Sequence, residues 1–69
     1  MELLTTVALL CDPPERGLSR GQVGTVVECL APEVFEIEFS DDEGRTYATL
    51  AIAAAKLIEL HHEPVRHAA

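Results

Sequence analysis

Residues Gly21-Gln22-Val23-Gly24-Thr25-Val26-Val27-Glu28 constrain the fold more than any other stretch. Glycine takes positive φ at no steric cost, and β-branched side chains favour extended, pleated backbone. Two glycines followed by an apolar run therefore predict a tight turn at Gly21 and Gly24 that feeds a strand. A chain of 69 residues has room for one small core around such a unit. It hides only about 60% of the surface its unfolded form exposes, so marginal stability is expected. Hydrophobic residues make up 48% of the chain, enough to fold rather than stay disordered. Phe35, Phe39 and Tyr47 are the only aromatics, so aliphatic side chains must fill most of the core. A core of that size is often completed by a partner or by a second copy.

The remaining elements follow in chain order. Thr5–Leu10 is an apolar run of strand length that stops at Asp12-Pro13-Pro14, where two prolines remove backbone donors and fix φ. From Cys11 to about Gly21 the sequence reads as a loop pivoting on Gly17 and Gly21, with Leu18 folded beneath it as an apolar plug. As the longest irregular segment it is a natural place for binding. A second strand, Gly24–Leu30, turns at Ala31-Pro32-Glu33 into a third, Val34–Phe39. There Phe35, Ile37 and Phe39 alternate with Glu36 and Glu38, a period of two that puts the aromatics inward and the glutamates on the solvent face. Ser40-Asp41-Asp42-Glu43-Gly44 predicts a hairpin turn with Gly44 left-handed, then a fourth strand over Arg45–Leu50. Ala51–Ala55 is too short for an independent helix and reads as one helical turn. Lys56–Leu60 is a short fifth strand. Residues 61–69 read as a frayed tail on a domain spanning 1–60.

Five short strands, a long first loop and a helical turn before the last strand predict an all-β fold, a small five-stranded SH3-like barrel. Closing the sheet removes most exposed edges. An OB-like barrel is the alternative, but its helix between strands three and four has no room where only an acidic turn intervenes.

The formal net charge of −7 limits the partners. Binding to phosphate backbones or anionic membranes needs clustered Lys and Arg, and Lys56 is the only lysine, so both are disfavoured. Cys11 and Cys29 are too few for a disulfide framework and form no Cys-x-x-Cys pair. They are expected as buried thiols in a reducing cytosol, and a Cys11–Cys29 bridge stays open if the first two strands pair at that height. The apolar residues Leu3–Leu10 lack the basic flank and cleavage site of a secretory signal and are too few to span a membrane, which points to the cytoplasm.

The candidate site is an acidic ridge: Glu36 and Glu38 on the third strand, with Asp41, Asp42 and Glu43 crowning the next turn. Such a ridge suits docking of a basic protein surface or mimicry of nucleic acid. The plainer alternative is a solvated face whose charges block edge pairing. Arg45 is placed to neutralise part of the turn. Tyr47 is a candidate for a small apolar contact patch beside Pro13 and Pro14. No metal site is expected: the Asp41–Gly44 turn is too short to give calcium six to eight oxygens, and His61, His62, Glu63 and His67 sit on the tail. Neither cysteine has a sequence-local histidine and no cleft for paired carboxylates is indicated, so no catalysis and no cofactor are expected.

The run Val7-Ala8-Leu9-Leu10, then Asp12, Pro14, Gly17-Leu18, Gly21 and Gly24-Thr25-Val26-Val27-Glu28, resembles a family of small bacterial proteins catalogued as a domain of unknown function. Phe35-Glu36-Ile37-Glu38-Phe39, the acidic turn, Thr46-Tyr47-Ala48 and Leu57 continue the likeness, which covers roughly residues 5 to 60. The resemblance implies a compact SH3-like barrel and brings no catalytic residue or substrate. Cys11 departs from it, since an acidic residue is more usual there. A weaker likeness is to the ribosome- and transcription-associated barrel motif that opens on Gly-x-x-Gly-x-Val, without that motif's basic loops. The expectation is a non-catalytic interaction module with a basic protein partner, for instance an acidic antitoxin, immunity or accessory protein. A homo-oligomeric structural module and a nucleic-acid-associated barrel are the alternatives.

Overall fold

Val7, Val26, Ile37 and Phe39 are withdrawn completely from solvent, and the strands that carry them define the architecture. The computed structural model describes residues 1–14 and 17–61. The strands are β1 (Thr6–Leu9), β2 (Val23–Ala31), β3 (Val34–Ser40), β4 (Thr46–Ala53) and β5 (Leu57–Glu59), with a single 3-10 turn over Ala54–Lys56 before β5. They form one antiparallel sheet in the order β4-β3-β2-β1-β5, an SH3-like barrel that is open between β4 and β5. The all-β fold and the helical turn before the last strand match the sequence expectation.

The core is aliphatic with two phenylalanines: Val7 and Leu9 from β1, Val26 from β2, Phe35, Ile37 and Phe39 from β3, Ile52 from β4 and Leu57 from β5. Burying each large side chain contributes about 1.5–3 kcal/mol before conformational entropy is set against it. Leu18 joins this cluster from the first loop, which is the plug the sequence predicts. Gly17 and Gly21, at φ +85° and +90°, turn the loop on either side of it.

Gly24 is a correction. It lies inside β2 opposite Val7, not in a turn, and its φ is not positive. A Cβ there would stand 2.6 Å from Ile37 Cγ2 and 2.9 Å from Phe39 ring carbons. The glycine is therefore set by close packing of core side chains against the strand backbone.

Consecutive valines at 26 and 27 break simple alternation, and a β-bulge resolves the conflict. Val26 pairs with Ile37 and Glu28 with Glu36, so Val27 is an extra residue on β2. Val26 stays in the core and Glu28 turns to the outer face. Pro32 and Glu33 make the β2–β3 turn, Glu33 taking the left-handed φ of 65° that a tight turn requires.

Two further expectations change. Ala51–Ala53 extend β4 rather than begin a helix, because Ala48, Leu50 and Ile52 keep a period of two toward the core and pair with Phe39, Ile37 and Phe35. Only Ala54–Lys56 wind into the 3-10 turn. The cysteines are free and exposed, not buried. Cys11 falls beyond the end of β1, and Cys29 lies past the bulge toward the hairpin tip. The β1–β2 register runs on to a Leu9–Gln22 hydrogen bond of 2.9 Å, which sets Cys11 level with Arg20 and far from Cys29. No bridge forms.

Candidate functional site

The outer face of β2, β3 and β4 gathers the acidic side chains. Inward residues of β3 leave Glu36 and Glu38 on the opposite side, both half-buried. Glu36 is flanked by Glu28 on β2 and Ala51 on β4, and Glu38 by Thr25 and Thr49. Glu28 thus stands directly across from Glu36, a like-charge pair that disfavours the isolated sheet. Strict alternation from Val26 would turn Glu28 inward, and the paired valines are the only sequence signal of the bulge that turns it out.

The turn beyond β3 uses its charges differently. Asp41 Oδ1 accepts the backbone N–H groups of Glu43 and Arg45, each at 2.9 Å. Arg45 Nε donates to Asp41 Oδ2 at 3.1 Å, and Arg45 Nη2 lies 3.2 Å from Glu43 Oε2. The Arg45 backbone N–H foremost, helped by the Glu43 N–H and the guanidinium and opposed by some desolvation, holds the Asp41 carboxyl below its usual value. Gly44 closes the turn at φ +81°. Asp41 therefore shapes the turn and Arg45 neutralises part of it, while Asp42 points to solvent. Among the described residues no cation pairs with Glu28, Glu36, Glu38 or Asp42.

Tyr47 is the extra residue of a bulge at the start of β4, since Phe39 pairs with Ala48 and Ser40 with Thr46. It is about half exposed, and its hydroxyl accepts a hydrogen bond from the Gln22 side-chain amide. Gln22 Oε1 in turn accepts the Ser19 N–H at 3.2 Å, so Tyr47 is tied to the end of the first loop. The prolines of that loop lie elsewhere: Pro13 and Pro14 wall a cleft of about 240 Å³ against Ala51, Ile52 and Ala53, with Cys11 and Lys56 also on its lining. Asp12 braces this wall by accepting the Arg20 N–H at 2.8 Å. The sequence marked the loop as a place for binding but not its facing wall, because the alanine-rich end of β4 read as a helical turn.

His61 is exposed, and the rest of the histidine cluster, His62, Glu63 and His67, lies outside the described residues. Among the described residues no helix is long and apolar enough to cross a membrane. A family model described as Domain of unknown function (DUF4926) matches residues 3–59. No curated protein and no solved structure matches the chain.

Proposed function

Since the chain belongs to the DUF4926 domain family, whose description assigns no activity, we propose on physical grounds that it is a non-catalytic interaction module of the cytoplasm. Its partner is a protein with a basic surface, and an antitoxin, immunity or accessory role is the concrete form this takes. The observation that carries the reading is the group Glu28, Glu36 and Glu38 on one sheet face, two of them directly opposed and none paired with a cation among the described residues. An arrangement that disfavours the free protein favours whatever brings positive charge to it.

The test is co-purification of the tagged chain from its host at low and high salt, repeated with the Glu36→Lys/Glu38→Lys variant. A basic partner that is retained at low salt, released as salt rises and lost with the variant supports the reading, because exposed charges are screened beyond about 8 Å at 0.15 M salt. A partner that the charge reversal leaves untouched refutes it.

One observation favours a second reading, a homo-oligomeric structural module. Ile58, Ala8 and Val23 are cross-strand neighbours on the outer face of β5, β1 and β2, and both ends of this row are about half exposed. A dimer that Val23→Glu dissociates, with no partner captured, would move the assignment to that row.

A further inference from the structure

We infer that the free edge of β4 receives an extended basic segment of the partner as a sixth strand, a mode of binding that rests on the acidic docking proposed above. The backbone provides the first argument. β4 is the terminal strand of the sheet, and among the described residues it makes no backbone hydrogen bond outside its ladder with β3. It runs for eight residues, Thr46-Tyr47-Ala48-Thr49-Leu50-Ala51-Ile52-Ala53, with neither a proline nor a charged side chain. Prolines and charges are devices that commonly blunt an edge. A bulge at Tyr47 interrupts this edge only at its start, so residues 48–53, in unbroken register with β3, present amides and carbonyls that have no partner among the described residues.

The side chains define what pairs there. On the outer face, the residues of β4 level with Glu38 and Glu36 are Thr49 and Ala51, both small. Strands lie about 4.8 Å apart, so an added strand runs roughly 10 Å from β3. A lysine or arginine on it reaches across Thr49 or Ala51 to the carboxylate, and two such residues at i and i+2 meet Glu38 and Glu36 together. On the inner side, Ala48 and Leu50 are only partly buried against the core. Ile52 there joins the cleft walled by Pro13 and Pro14. The segment that fits has basic residues at alternate positions and apolar residues between them. Charge selects such a segment over a second copy of this chain, which would bring the same acidic face and seven further negative charges.

The probe is an acetylated octapeptide alternating lysine and valine, compared with an octapeptide of the same composition whose lysines are contiguous. Binding to the full chain is followed by calorimetry and by amide hydrogen exchange. Plain charge attraction holds both peptides equally, whereas strand addition favours the alternating one by about 10-fold or more and slows exchange of β4 amides. Glu36→Lys/Glu38→Lys then weakens the alternating peptide by about 10-fold. Equal binding of both peptides, without β4 protection but lost with the charge reversal, overturns strand addition and leaves acidic docking standing. Binding of neither peptide also overturns strand addition, and partner capture with the charge-reversal variant then judges docking separately. Protection of β4 amides by self-association, without peptide, overturns the proposal and gives the edge to a second copy.

Discussion

Substituting Gly24 by alanine tests whether close packing, not turn geometry, fixes this position. The added methyl would lie 2.6 Å from Ile37 Cγ2 and 2.9 Å from two Phe39 ring carbons, against about 3.5–4.0 Å for carbons at optimal separation. Ile37 and Phe39 are wholly buried, so neither can swing into solvent to make room. Overpacking of this kind costs about 1–3 kcal/mol. The backbone at Gly24 is open to alanine, and reduced freedom of the unfolded chain returns about 0.4–1 kcal/mol. The balance is a loss of about 1–2 kcal/mol, from a total near 3–10 kcal/mol at roughly 0.05–0.15 per residue. For a domain of this size that lowers Tm by about 5–15 °C. Thermal and urea unfolding followed by far-ultraviolet circular dichroism measure it. Adding Ile37→Leu removes the β-branch methyl at similar volume and should recover at least about 0.5 kcal/mol. Gly21→Ala should also cost about 1 kcal/mol, through its left-handed φ, but with no coupling to Ile37. An unchanged or raised Tm for Gly24→Ala, or a loss indifferent to Ile37→Leu, would refute the packing argument.

Leu18→Ala should remove about 2–5 kcal/mol, because the plug under the first loop is part of the single core. The urea midpoint reads this loss, and a change within error would show that the loop is held by Asp12 and Gln22 instead. Asp41 has a folded-state pKa below its unfolded one, so its stabilising effect is fully present above the unfolded value and disappears as pH falls through the folded one. Wild-type stability should therefore decline more steeply on acidification below about pH 4 than that of Asp41→Ala. Parallel pH profiles would deny the turn its role. Cys11 and Cys29 should both react with a thiol reagent in the folded protein, without denaturant, as their exposure requires. Reaction only on unfolding would restore the buried thiols that the sequence suggests.

The legible parts of this fold are those where one local rule operates alone. Alternation of Phe35, Ile37 and Phe39 with Glu36 and Glu38 meets no competing pattern, and β3 forms as read. Gly17, Gly21 and Gly44 stand where chain reversal needs positive φ, which sequence shows directly. What escapes is set by the neighbouring strand. Gly24 looks like its neighbour Gly21 in sequence, but Ile37 and Phe39, more than ten positions away, decide its role. Glu28 joins the acidic face only because a bulge shifts the phase of β2. The end of β4 reads as helix because alanine favours it, until pairing with Val34, Phe35 and Glu36 overrides propensity. The cysteines fail for a related reason: small apolar residues are buried only where neighbouring strands cover them. Cys11 lies beyond the end of β1, while Cys29, though paired with Phe35, lies beyond the part of β2 that β1 flanks.

The pairing of β1 with β5 has a consequence during synthesis. β1 is the most completely buried strand, with Val7, Ala8 and Leu9 all withdrawn from solvent. One of its sides is covered by β2, whose residues emerge from the ribosome soon after it. The other side waits for Leu57–Glu59, about fifty positions later. Until those three residues appear, every partly made chain carries its most apolar strand as an open edge, the kind of surface that joins nascent chains to one another. The smallest strand of the sheet is therefore the one whose arrival ends that exposure.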